Sequence, residues 1–172
     1  MRKILFQLLI AIVASAIFGL VLANKANARD MVPFAGNYYP GTVVIKTRQR
    51  QLFLVLGDGY AIRYPVGVGK AGQQWAGVSY IDGKHVAPDW APPPAMRSNP
   101  GEVPYVIPGG SPQNPMGAAA LTLTGGEYAI HGTNQPDSVG GFVSSGCIRM
   151  LNRDVVDLFA RVTVGTPVVV TR

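Results

Sequence analysis

Apolar positions in this chain come in short blocks, punctuated almost everywhere by Gly and Pro. Residues 42–47 are rich in β-branched side chains and read as a strand. Residues 51–56 read as a second strand. It shows no polar alternation after Gln51, so both of its faces are expected to be covered. Gly57-Asp58-Gly59 is a tight-turn signal, and residues 60–68 follow as a third strand, with Pro65 marking an edge or a bulge. Residues 118–124, a turn at Gly125-Gly126 and residues 127–131 make a hairpin that leaves His131 at a strand end. Only one segment has helical spacing. Val155, Leu158, Phe159 and Val162 stand at i, i+3, i+4 and i+7 behind Asn152, which suits an N-cap, with Asp154 in the first turn. Gly165 and Pro167 end that helix, and residues 167–171 read as a short buried strand that closes the fold.

The rest of the chain carries weaker signals. Residues 30–40 hold Pro33, Gly36, Asn37 and Pro40 and read as a linker or an extended arm, and residues 134–141 read as a loop. From 69 to 115 repeated prolines erase any period, although residues 78–81 suggest a short strand. A stretch this long without clear elements is usually functional or disordered. Trp75, Tyr80, Trp90, Met96 and Tyr105 point to ordered excursions beside a groove, because aromatics in loops pack or bind. The expected fold class is therefore mainly β, with one short helix near the C-terminus, no repeats and no second domain.

Composition narrows the class further. Hydrophobic residues at 48% sustain a real core, and charged residues at 14% exclude a disordered tail or a coiled coil. Arg2 and Lys3, an apolar run from Ile4 to about Ala23 and the small residues Ala26 and Ala28 read as a secretory signal peptide over 1–28. The alternative is an uncleaved anchor, which would be the chain's only association with a membrane. A linker over 29–41 and one domain over 42–172 complete the expected organisation. Cleavage after Ala28 removes Arg2, Lys3 and Lys25 and no acidic residue, so the net charge falls from +6 to +3. This modest charge suits an acidic polymer, and no basic stripe with interleaved aromatics argues for nucleic acid.

An exported chain whose one cysteine is Cys147 cannot close an internal disulfide. Such a residue is either an inert small hydrophobe or a reactive thiol. Its surroundings favour the second reading. Gly146 lets the backbone turn sharply before the sulfur, and main-chain N–H groups around Gly146 and Cys147 are candidates for an oxyanion hole. His131 is the candidate base that raises the thiolate fraction and later protonates a leaving amine. Arg149 is placed to hold a substrate carboxylate or, equally, a structural one such as Asp154 or Asp157. Ser144 and Ser145 are either donors to an oxyanion or turn residues. His85 has no nucleophile near it in sequence and reads as a surface or structural residue. Two histidines and one distant cysteine give no metal-ligand spacing.

The run HGT at 131–133 followed by SSGCIRM at 144–150 closely resembles the signature of the L,D-transpeptidase catalytic domain, the YkuD family. Outside that signature, PVGVGK at 65–70, WAPPP at 90–94, PGG at 108–110 and NPMG at 114–117 are similar to further family segments, as are NRDV at 152–155 and GTPV at 165–168. The match covers roughly residues 42–171. Two departures stand out. Gln74-Trp75-Ala76-Gly77 replaces a T-P-x-G segment, and Ser145 stands where many members have His, which leaves His131 as the only base.

The resemblance implies a β-sandwich-like periplasmic enzyme with no metal or organic cofactor. In it Cys147 is the nucleophile, His131 the base and the Gly132 carbonyl the group that orients the imidazole. Gly146, Ser145, Ser144, Arg149, Trp90 and Asn114 are the implied oxyanion and substrate contacts. It further implies acyl transfer from a peptidoglycan tetrapeptide stem, releasing D-Ala and giving a 3→3 cross-link, or attachment to the wall of an outer-membrane protein acceptor. Inhibition by carbapenems would follow. A carboxypeptidase or endopeptidase using water at the same site is the first alternative, and a non-catalytic wall-binding module on the same fold is the second.

Overall fold

The computed structural model describes residues 30–92, 106–125 and 128–172. The expected leader, Met96, Tyr105 and the second turn glycine Gly126 lie outside the described residues. Eleven strands and one α-helix are formed by the described residues. In chain order the strands are β1 (Asp30–Pro33), β2 (Val43–Lys46), β3 (Gln51–Gly57), β4 (Tyr60–Pro65), β5 (Val68–Gly69), β6 (Gly77–Val86), β7 (Ala119–Leu123), β8 (Ala129–His131), β9 (Phe142–Ser144), β10 (Ile148–Arg149) and β11 (Pro167–Thr171), with helix α1 at Asn152–Arg161. The mainly-β expectation holds.

Nine of these strands hydrogen-bond in the order β1-β4-β3-β2-β11-β6-β7-β8-β10, and β5 pairs with β9 apart from them. The long strand β6 turns this run into two layers. Its first half pairs antiparallel with β11, with Pro167 opposite Tyr80, and its second half pairs with β7, with Val86 opposite Ala119. The register shifts between Ile81 and Gly83, where a bulge bends the strand. A Cβ at Gly83 would lie 2.7 Å from His85 Nε2 and against Thr122 Oγ1, so only glycine lets the two chains approach there. The main core fills the space between the layers and includes Ile45, Leu52, Tyr64, Leu121, Ile130, Ile148 and Met150, with Val155 and Leu158 supplied by α1.

The absence of alternation in β3 is explained by a second core on its other face. Leu52 and Leu54 belong to the main core, while Phe53 and Val55 pack with Phe34, Val44 and Ala61. The cover comes from the start of the segment read as a linker or an extended arm. Residues Asp30–Pro33 pair antiparallel with β4 as an edge strand, Phe34 packs tilted against Phe53 with ring centroids 4.9 Å apart, and Lys46 Nζ lies 5.1 Å from the Phe34 centroid. Four residues ending in Pro33, with Gly36 close behind, carry too little pattern to announce a strand; the uncovered face of β3 calls for it.

The helix sits where its spacing predicts, but its cap does not. Leu151 is the N-cap, without a side-chain cap hydrogen bond, and Asn152 is the first helical residue. Asn152 instead accepts two main-chain hydrogen bonds on Oδ1, from Ala118 N at 3.0 Å and from the buried Thr133 N at 2.9 Å. It thereby ties the start of β7 and the end of β8 to α1. The third strand also ends earlier than expected: β4 stops at Pro65, and Val68 moves to the separate pair with β9. Residues Pro136–Ser138 form a single 3-10 turn inside the expected loop, and β9 and β10 are too short to show in the pattern. Asn152→Ala strands two N–H groups, one of them buried, and is expected to cost about 1–3 kcal/mol of stability. Urea unfolding of the variant against the parent measures that loss.

Candidate active site

The parallel pairing of β8 with β10 assembles the site. Ile148 stands opposite Ile130 and Arg149 opposite His131. Because side chains alternate along a strand, Ile130 and Ile148 enter the core, while Ala129, His131, Cys147 and Arg149 share the other face. Arg149 is therefore the direct cross-strand neighbour of His131, and Cys147 its diagonal one, a separation that side chains bridge. Residues 16 apart in sequence meet through one strand register. Gly67 exchanges main-chain hydrogen bonds with Arg149 at 2.7 and 2.8 Å and holds β10 from its other side.

His131 is 5% exposed, and its Nδ1 lies 2.7 Å from the Gly132 carbonyl oxygen. A carbonyl only accepts, so Nδ1 carries the proton of the neutral ring and Nε2 keeps its lone pair. The expected orienting role of Gly132 thus has its geometry. Burial, and secondarily the positive charge of Arg149, lower the His131 pKa to about 4 against the pull of the Gly132 and Pro115 carbonyls. Cys147 is half-buried, and burial raises its thiol pKa above the ordinary value, opposed by the Ala129 N–H and by Arg149. Both groups are accordingly neutral at rest. No direct hydrogen bond joins Cys147 Sγ to the imidazole among the described residues, and such bonds commonly tighten only with substrate bound. The arrangement suits a thiol that loses its proton to a neutral imidazole as it attacks.

The loop before the sulfur is fixed by its own polar atoms. Buried Ser144 accepts from Gly146 N at 3.1 Å and donates to the Cys147 carbonyl at 2.6 Å, so it is a turn residue with a task. This corrects the oxyanion expectation for one donor, because the Gly146 N–H is already taken. The Cys147 and Ser145 N–H groups have no partner among the described residues and remain the candidate donors. Ser145 itself is exposed. Gly146 has φ +129°, and a Cβ there would strike the Tyr128 ring.

The other expected contacts divide. Arg149 faces the site but is held by Ser138, with Nη1 3.0 Å from its Oγ, and its Nε is buried without a hydrogen-bond partner. Neither expected carboxylate holds it: Asp157 accepts from Tyr64 at 2.7 Å and from Arg161, and Asp154 lies 3.7 Å from Arg153. Asn114 is 2% exposed and donates from Nδ2 to the carbonyls of Pro88, Ile107 and Pro108, while its Oδ1 accepts from Met116 N. Its polar atoms are spent on clasping loops. Trp90 exchanges two main-chain hydrogen bonds with Ile107 and closes the neck of the excursion between them. His85 is exposed, as expected of a surface residue. Sequence reasoning passed over Trp75 and Tyr128 as site residues, although they stack 5.0 Å apart beside Gly146 and Trp75 Nε1 donates to the Gly146 carbonyl at 3.0 Å. The departure at 74–77 marks Trp75; no such signal marks Tyr128. Among the described residues no cluster of His, Cys, Asp or Glu could hold a metal ion.

The site thus sets a thiol and a neutral imidazole on one face of a strand pair. The chain is a member of the L,D-transpeptidase catalytic domain family, YkuD, whose profile matches residues 40–170. It is 38% identical over 135 residues to ErfK/SrfK of Escherichia coli, a probable L,D-transpeptidase, covering 73% of this chain and 42% of that protein. It is 37% identical over 146 residues to YqjB of Bacillus subtilis, a candidate L,D-transpeptidase, covering 81% of this chain and 77% of that protein. The chain thus spans less than half the length of the Escherichia coli relative. An L,D-transpeptidase structure from Mycobacterium smegmatis superposes with a TM-score of 0.59 at 19% identity, covering 76% of this chain and 58% of that one, and shows the same fold.

The His131 shift has a consequence for stability. The unfolded ring binds a proton near pH 6.5 and the folded ring only near 4, so the unfolded state holds more protons between these values. Stability is retained above about pH 6.5 and lost as the pH falls toward 4, by roughly 3 kcal/mol if the whole shift is expressed. His131→Asn is expected to flatten this acid limb in urea titrations at pH 7 and pH 4.5.

Proposed function

We propose that this chain is a peptidoglycan L,D-transpeptidase that works through a Cys147 thioester. The observation that carries the reading is the shared strand face of Cys147 and His131 within a chain of this family. In the first half-reaction the Cys147 thiol gives its proton to His131. The sulfur bonds to the carbonyl carbon of the third stem residue, the C–N bond to terminal D-Ala breaks, and His131 returns the proton to the departing amine. In the second half-reaction the amine of another stem attacks the thioester carbonyl and loses a proton through His131, and the thiol is restored as the new amide forms. The Cys147 and Ser145 N–H groups are the proposed donors to the oxyanion in both halves. Gly132 keeps the imidazole in the tautomer this chemistry needs. Arg149, aimed at the same face, supports an anionic stem near the sulfur and keeps His131 unprotonated.

The working compartment is proposed to be the periplasm, reached by export on residues 1–28; the leader-like sequence supports this. No helix among the described residues is long and apolar enough to cross a membrane. An outer-membrane protein amine is a further acceptor that the same thioester would serve.

Incubation with purified tetrapeptide muropeptides, followed by mass spectrometry of the products, tests the reading. Cross-linked dimers that have lost D-Ala are expected, whereas tripeptide monomers alone would mean that water is the acceptor. Cys147→Ala is expected to abolish product, and His131→Ala to slow acylation by about 10²–10⁴-fold. Products formed at the parent rate by Cys147→Ala would sink the proposal.

A further inference from the structure

We infer that Trp75 is a positioning residue for the oxyanion donor, acting through the peptide plane that joins Gly146 to Cys147. This rests on the acyl-transfer function proposed above. In a trans peptide the carbonyl oxygen and the following N–H point to opposite sides of one rigid plane. Trp75 Nε1 holds the Gly146 carbonyl at 3.0 Å, and none of the described peptide bonds is cis. Fixing that oxygen on the Trp75 side turns the Cys147 N–H to the opposite side, where it has no partner among the described residues.

Two further contacts leave the plane little freedom. The Tyr128 ring, stacked on Trp75 at an interplanar angle of 8°, occupies the space a Cβ of residue 146 would need. The preceding plane is held separately, by Gly146 N donating to Ser144 Oγ. Among the described residues the indole N–H is thus the one side-chain donor that sets the rotation of the 146–147 peptide. Trp75 never touches the reacting atoms. It aims an amide that does, and preorganised donors of this kind act without reorganisation at the moment charge develops. A residue at 75 that lacks a donor would leave the Gly146 oxygen to solvent and let the plane turn.

The test separates aim from mere integrity of the site. Trp75→Phe keeps an aromatic ring on Tyr128 and loses the N–H. Site-specific replacement of Trp75 by benzothienylalanine keeps the full bicyclic shape and loses only the N–H. Two reactions of Cys147 are followed by intact-mass spectrometry: acylation by a carbapenem, which passes through an oxyanion, and alkylation by iodoacetamide, which does not. Both variants are expected to acylate about tenfold more slowly, part of the 10²–10³-fold cost of losing a donor outright, and to alkylate at the parent rate. Parent-rate acylation in the benzothienylalanine variant overturns the inference, as does an equal fall in both reactions, which would mean a displaced thiol. If the parent chain itself forms no acyl adduct but alkylates normally, the proposed acyl-transfer function fails and the inference fails with it. A parent that acylates beside an unimpaired variant removes only the role of Trp75.

Discussion

The site depends on one register. β8 and β10 together contribute five residues, and their parallel alignment sets Arg149 against His131 and turns Cys147 to the same face. A slip of one residue would send the thiol or the imidazole into the core and bring Ile148 or Ile130 out. Both isoleucines are fully buried, so the hydrophobic core enforces the alignment. Packing and chemistry occupy alternate positions of the same two strands.

Around this pair the electrostatics are those of a resting site. Burial disfavours charge on the thiol and on the ring alike, and Arg149 adds a cation that discourages a proton on the imidazole while favouring the thiolate. The chain therefore stores no thiolate–imidazolium pair before substrate arrives. Desolvation keeps both groups neutral at rest, and in the proposed reaction the thiol would give up its proton only as the sulfur meets a carbonyl.

Much of the fold could be read directly from the chain. Short apolar blocks bounded by turn residues located β2, β3, β7 and β11 within a residue or two, and the i, i+3, i+4, i+7 spacing located α1. The misses share a cause: they concern short segments whose conformation is dictated by partners far along the chain. β1 is a strand because β4 offers an edge and β3 an uncovered face, and neither fact is local. Asn152 resembles a cap by position but is drawn to two main-chain donors from β7 and β8. At the site, the specific signature singles out Cys147 and His131, and the β8–β10 register brings them to one strand face, with Gly132 bonded to the imidazole. Asn114 was misleading, since a loop clasp and a substrate contact look alike in one dimension. Trp75 was hidden by lying seventy-one residues from the carbonyl it holds.

The three residues before the sulfur differ sharply in how much change they can absorb. Ser144 is committed by two hydrogen bonds, and Gly146 is hemmed in by Tyr128. Ser145, between them, is exposed, and its side chain makes no hydrogen bond among the described residues. Variation beside the thiol is therefore channelled into an outward position, where a new side chain would reach solvent before it disturbed the fold. Under the proposed function, the loop thus leaves one place at which selectivity can drift while the backbone around Cys147 stays still.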